Sequence, residues 1–166
     1  MGTYSDADIW PFKFDVEEGE KNRKVISPTR KLVWFGGLNS HKTASVRWFL
    51  NEVLPTIKDS IPDVEVHLYG AGTKSFDNPQ NKVFGHGFYH GEDVVPSREA
   101  LYINPDIVGG GVKLKLLTYY NAGVPFITSF FGYEGYDKSM IDNQYCIVAE
   151  KKDWANRIIT FLRDGK

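Results

Sequence analysis

The sequence predicts an α/β protein of three layers: a parallel sheet with helices on both faces. Three observations predict it. Short apolar runs alternate with helix-period segments across residues 31–166. The runs are apolar at nearly every position, as in strands covered on both faces. Several of them close in glycine, at the end of a strand where such a sheet carries its ligand.

The elements follow in order. Lys31-Leu32-Val33-Trp34-Phe35-Gly36 is the first strand, stopped by glycine. Val46, Phe49, Leu50, Val53, Leu54 and Ile57 then recur at i, i+3, i+4 and i+7, which predicts an amphipathic helix. Thr43 is expected to cap it, and Pro55 to kink or end it. Val64 to Tyr69 is the second strand, closing in Gly70-Ala71-Gly72, and Lys82-Val83-Phe84 a short third, closing in Gly85 and Gly87. Ala100 to Asn104 is the fourth strand. A helix from about Val112 to Asn121 follows and ends at Gly123, a natural left-handed cap. Val124 to Thr128 and Tyr145 to Val148 are the fifth and sixth strands. Trp154, Ala155, Ile158, Ile159 and Leu162 mark the last helix, with Asp153 as its cap.

The boundaries of the folded unit are read from composition. Residues 1–30 form an irregular arm, in which Tyr4, Trp10, Phe12 and Phe14 can pin to a surface and the charged run 17–24 is solvated. Residues 31–166 form the domain proper. The polar start and the stop just past a helical run read as the edges of an excised domain.

Charge and cysteine content exclude several classes of function. The formal net charge is −1, so no global positive field recruits nucleic acid or anionic lipid. The single cysteine, Cys146, rules out an intramolecular disulfide and a cysteine-rich zinc site. No apolar run approaches the roughly 20 residues that span a bilayer, and no signal sequence opens the chain. A cytoplasmic location is the expectation, with peripheral membrane association only through a domain outside this segment. The histidines His41, His67, His86 and His90 lack metal-ligand spacing, so no metal is expected.

Two segments carry chemistry. Gly109-Gly110-Gly111-Val112-Lys113-Leu114-Lys115 places three glycines and two lysines at the start of a helix. Free N–H groups, close backbone approach and ammonium charge suit a bound anion; the competing reading is a flexible loop before a solvated helix. Gly36-Gly37-Leu38-Asn39-Ser40-His41-Lys42-Thr43 joins the first strand to the first helix, and Lys42 again sets a cation where the helix dipole favours anions; it reads equally as a solvated turn. His67, inside a strand, reads as structural, whereas His86 and His90 lie in a loop at the expected ligand edge. Gly132-Tyr133-Glu134-Gly135-Tyr136 sets a carboxylate between glycines after the fifth strand, placed to bind hydroxyls or simply solvated. Its aromatic neighbours Phe130, Phe131, Tyr133 and Tyr136 are candidates for packing against a further domain. No complete dinucleotide fingerprint, phosphate-binding Walker sequence or serine-histidine-aspartate arrangement is present.

Taken together, Trp34 to Lys42, Val64 to Gly72, Gly109 to Lys115 with Ala122 to Thr128, and Gly132 to Gly135 resemble the C-terminal domain of glycosyltransferase family 4. That is one half of the GT-B architecture, in which two Rossmann-like domains face each other, and the resemblance runs from about Lys31 to Lys166. It implies a donor-binding domain for a nucleoside-diphosphate sugar, with the acceptor held by an N-terminal domain of the full-length chain. It implies a hexosyl-type, retaining, metal-independent transferase that needs no cofactor beyond its donor substrate and is inactive as an isolated domain. Lys42 and Lys113 would stabilise the leaving diphosphate, with Lys115 beside them. Gly109, Gly110 and Gly111 would offer backbone amides to the sugar or phosphate, Gly36 and Gly37 would belong to the phosphate loop, Gly85 and His86 would lie near the base, and Glu134 would stand in the family's glycine–glutamate loop at the donor site.

Two positions depart from the family pattern. Gly37 stands where an arginine is common, and Thr118 where a glutamate usually binds the ribose. A threonine hydroxyl cannot hold two ribose hydroxyls as a carboxylate does. These departures keep a second reading open, a catalytically degenerate transferase-like module that binds without turnover. A nicotinamide-dependent oxidoreductase is a third, disfavoured by the missing glycine fingerprint.

Overall fold

The computed structural model describes residues 17, 21, 29–90, 99–108, 112–137, 141 and 146–165. The expected pinning residues of the arm, the glycines Gly109, Gly110 and Gly111, and Tyr145 lie outside the described residues.

Six strands form one parallel sheet: β1 (Lys31–Phe35), β2 (Glu65–Tyr69), β3 (Val83–Gly87), β4 (Leu101–Asn104), β5 (Phe126–Ser129) and β6 (Cys146–Ala149). Their spatial order is β3-β2-β1-β4-β5-β6, so the winding reverses between β1 and β4. The register is fixed at that reversal by Leu32 opposite Leu101 and Val33 opposite Tyr102. Strand polarity therefore brings every β-to-α connection to one edge, and the gap above β1 and β4 is where such a sheet binds its ligand.

Side-chain alternation divides the core into two layers. Leu32, Trp34, Leu101, Ile103, Ile127 and Ile147 point to one face. That face is covered by α1 (Ser40–Trp48), α2 (Leu54–Ser60) and α4 (Trp154–Asp164), through Val46, Ile57, Trp154, Ile158 and Phe161. Val33, Phe35, Tyr102, Phe126 and Cys146 point to the other, under Leu116, Tyr119 and Tyr120 of α3 (Lys115–Asn121). This second layer is aromatic: Phe35, Tyr102 and Tyr119 have ring centroids 4.8–6.3 Å apart.

Three local outcomes differ from the sequence reading. The first helix starts at Ser40, and its cap is Asn39, not Thr43, because the side-chain Oδ1 of Asn39 accepts from the Lys42 N–H at 2.9 Å. Pro55 neither ends nor breaks the helical run. A wide turn, Phe49–Val53, in which the Leu54 N–H reaches back to the Phe49 carbonyl, precedes it, and Pro55 falls in the first turn of α2, where its missing N–H costs least. The helix expected from Val112 starts at Lys115; Lys113 stands in the turn before it, its carbonyl accepting from Leu116 N at 2.9 Å.

Candidate functional site

The ligand edge is built from interlocked glycine turns. Gly36 N donates to Tyr69 O at 2.9 Å, Leu38 N to Ala71 O at 2.9 Å, and Gly70 N to Gly87 O at 2.7 Å. The ends of β1, β2 and β3 thus form one continuous floor. Gly70 sits at φ +136°, and a Cβ there would overlap the Gly36 carbonyl oxygen, so only glycine lets the first two turns meet. Gly37 is different: a Cβ on it meets nothing within 4 Å.

Three lysines converge above the point of reversal. Lys42 enters from the first turn of α1, while Lys113 and Lys115 come from the connection between β4 and α3. The Lys115 ammonium donates to the Phe35 carbonyl at the end of β1 at 3.0 Å and lies 5.1 Å from the centre of the Trp34 ring. Burial pushes its pKa down to about 8; Lys42 and Lys113 push the same way, and Asp106 opposes them. Like charges gathered on a half-buried ammonium are costly in the absence of an anion. Lys113 lies 5.2 Å over the Phe131 ring.

The loop after β5 joins this cluster. Tyr136 donates its hydroxyl proton to the Lys113 carbonyl at 2.8 Å, which ties the Gly132 to Tyr136 turn to the lysine-bearing turn. Burial raises the Tyr136 pKa to about 12, so this donor stays protonated across the physiological range. Glu134 is exposed on the same loop. Thr118 is exposed on α3, one turn beyond Lys115.

His86 and Gly85 belong to a separate part of the edge. The His86 ring lies 4.2 Å from that of Tyr69 and nearly parallel to it. It hydrogen-bonds His67 at 3.0 Å, and His67 in turn meets Glu65 at 3.1 Å. Burial, then the neighbouring His67 and Lys31, lower the His86 pKa against the pull of Asp77. His67 is therefore a structural member of a stacked row, as the sequence indicates. Gly85 packs against the turn Thr73–Phe76, since a Cβ there would overlap the Thr73 carbonyl.

One residue of interest has no counterpart in the sequence reading. Asp106, two residues past β4, is 2% exposed, and its Oδ2 is buried with no hydrogen-bond partner among the described residues. Its backbone is held by Ser129, whose hydroxyl donates to the Asp106 carbonyl, and Ile107 N donates to Ser45 Oγ at 3.2 Å. The only signal in the sequence is an acidic residue directly after Asn104-Pro105, which by itself reads as a turn. Among the described residues no group of three or more acidic, histidine or cysteine side chains could hold a metal, and no helix is long and apolar enough to cross a membrane.

A parallel sheet wound in the order 3-2-1-4-5-6, with cationic side chains gathered at the reversal, defines an α/β domain of the Rossmann-like class found in GT-B transferases. The family model described as "Glycosyl transferases group 1" matches residues 29–164, and the chain belongs to that family. Among solved structures it is similar to the HepE protein (Alr3699) of Anabaena in complex with UDP, with 14% identity, a TM-score of 0.57, 93% of this chain covered and 45% of that one. The same Anabaena protein in complex with UDP and glucose gives 14% identity and a TM-score of 0.50, covering 92% and 44%. The chain thus spans less than half the length of these structures. No curated protein matches the sequence.

Proposed function

We propose that this chain is the donor-binding half of a glycosyltransferase and that it binds a nucleoside-diphosphate sugar over the junction of β1 and β4. The observation that carries this reading is the convergence of Lys42, Lys113 and Lys115, from two separate connections, on one half-buried point. Lys115 has three N–H donors and gives one to Phe35, so others remain for a phosphate oxygen. Lys42 and Lys113 add charge that stabilises the diphosphate as it leaves, where preorganised cations act most strongly. In this reading no metal takes part and the anomeric configuration is retained. Gly36 and Gly37, with Gly109, Gly110 and Gly111, offer amides; Gly85 and His86 flank the base; Thr118 meets the ribose and Glu134 the sugar.

The acceptor is held by an N-terminal domain of the same full-length protein, itself cytoplasmic or peripheral at the membrane. This domain alone binds donor and transfers little, because transfer needs both substrates held together. UDP is the first nucleotide to test, given the complexes of the Anabaena protein. Calorimetric titration with UDP, GDP and NAD is expected to give saturable binding of one nucleoside diphosphate and none of NAD. Lys113→Ala should weaken that binding about ten-fold or more, the loss of a charged hydrogen bond. Equal affinity in the variant would remove Lys113 from the site; binding of NAD alone would favour the oxidoreductase reading. Binding without turnover by the full-length protein would favour the degenerate module.

A further inference from the structure

Asp106 is a buried acidic group to which the donor site gives no task. Its Oδ2 is buried and has no hydrogen-bond partner among the described residues. A carboxylate so placed is costly unless a cation stands near it. Three hydrogen bonds fix its position. The Ser129 hydroxyl donates to the Asp106 carbonyl and accepts from Gly132 N at 2.8 Å, which joins Asp106 to the loop whose Tyr136 holds the Lys113 carbonyl. Ile107 N donates to Ser45 Oγ at 3.2 Å, which joins the same turn to α1, three residues beyond Lys42. The turn of Asp106 is thus tied to the elements that carry the other two lysines.

The cation is Lys115. Its ammonium is held inward, donating to the Phe35 carbonyl at 3.0 Å and lying over the Trp34 ring. Phe35 ends β1 and Asp106 follows β4, its neighbour in the sheet. Of the charges that act on Lys115, Asp106 favours the protonated form, whereas Lys42 and Lys113 disfavour it. We propose that Asp106 is a positioning residue, an internal counter-ion that keeps Lys115 charged and in place while the site is empty and cedes it to the donor diphosphate on binding. The proposal deepens the donor-site reading and rests on it only for the anion that takes over. The same negative charge repels a diphosphate, so its removal has two opposite effects. At pH 6, where the ammonium is charged with or without Asp106, a repulsion is lost. Above neutral pH the ammonium gives up its proton sooner, and binding weakens.

The test compares the chain with its nearly isosteric Asp106→Asn variant in two measurements. The first needs no nucleotide: NMR titration of the lysine side-chain signals, with that of Lys115 assigned by its loss in Lys115→Arg. Lys115 should titrate near pH 8 in the unaltered chain and about one pH unit lower in Asp106→Asn. The second is UDP affinity at pH 6 and pH 8.5. The affinity of the variant relative to the unaltered chain should fall about five-fold between the two, whereas a merely structural defect would weaken binding equally at both. An unchanged Lys115 titration, or a relative affinity independent of pH, would overturn the proposal. Urea unfolding reads the same coupling even where Asp106→Asn alone is too unstable to titrate. Lys115→Met leaves the carboxylate uncompensated and should lower the midpoint, and adding Asp106→Asn should restore part of the loss; simply additive losses would count against the pairing. Absence of UDP binding by the unaltered chain would sink the donor reading, and the nucleotide-free titration would still decide the role of Asp106.

Discussion

Lys115 is an ammonium held where water is scarce and two other lysines are near, and its pKa of about 8 has a consequence for binding. The folded protein carries the charge below that value and loses it above. A bound diphosphate favours the charged form, so binding above pH 8 must take up a proton. UDP affinity is therefore expected to hold from pH 6 to 7.5 and to fall as pH rises through 8, by at most about ten-fold per unit. Lys115→Arg, charged throughout, should flatten the profile; a profile equally steep in that variant would place the titration elsewhere. Gly37 offers the opposite experiment. A side chain there enters open space, so Gly37→Arg should fold normally and tighten UDP binding by about ten-fold through charged hydrogen bonds. Gly70→Ala should instead destabilise the chain by about 2 kcal/mol or more in urea unfolding, because its backbone is left-handed and its Cβ meets the neighbouring carbonyl.

Among the elements, α1 shows how the sequence indicated a helix and misplaced its start. Asn39 and Thr43 are both good caps by residue type. The choice falls to Asn39 because Leu38 N is held by the Ala71 carbonyl, which turns the chain just before Asn39 and frees its side chain to reach Lys42 N. Asn39→Ala should cost about 1 kcal/mol in chemical denaturation, whereas Thr43→Ala should change stability little. The Asn39 substitution should also weaken UDP binding, since the same cap fixes the turn that carries Lys42; no change in affinity would separate the cap from the site. Pro55 follows a similar logic. A proline late in an apolar helical period reads as a stop, but burial of Leu54 and Ile57 against the sheet favours continuation, and the wide turn ahead of it absorbs the misfit.

For the whole molecule, the order of strands decides what the separate lysines can do together. Lys42 and Lys115 are far apart in sequence and feel each other's charge only because β1 lies beside β4. Hydrogen exchange should register this: UDP is expected to slow the amides of 36–43 and 112–118 together, while those of β6, away from the reversal, keep their rates. Protection of only one of these segments would mean that the two connections do not share a ligand.

The layers and most of the elements are legible in the chain alone, because apolar period and glycine punctuation are local properties. Runs such as Leu32 to Phe35 and Ile57 with its helical partners carry their burial in their own spacing. The glycine and lysine segments could also be picked out one by one, each as a candidate anion site or a solvated turn. Tertiary structure alone brings Lys42 and Lys113 into the field of Lys115, ties the Glu134 loop to Lys113 through Tyr136, and packs Gly85 against the Thr73 carbonyl. It also decided the setting of Asp106. A carboxylate after Asn104-Pro105 is an ordinary turn residue until Ser129 holds its backbone and the fold buries it. Burial of this kind arises from elements distant in sequence, and no local pattern encodes it.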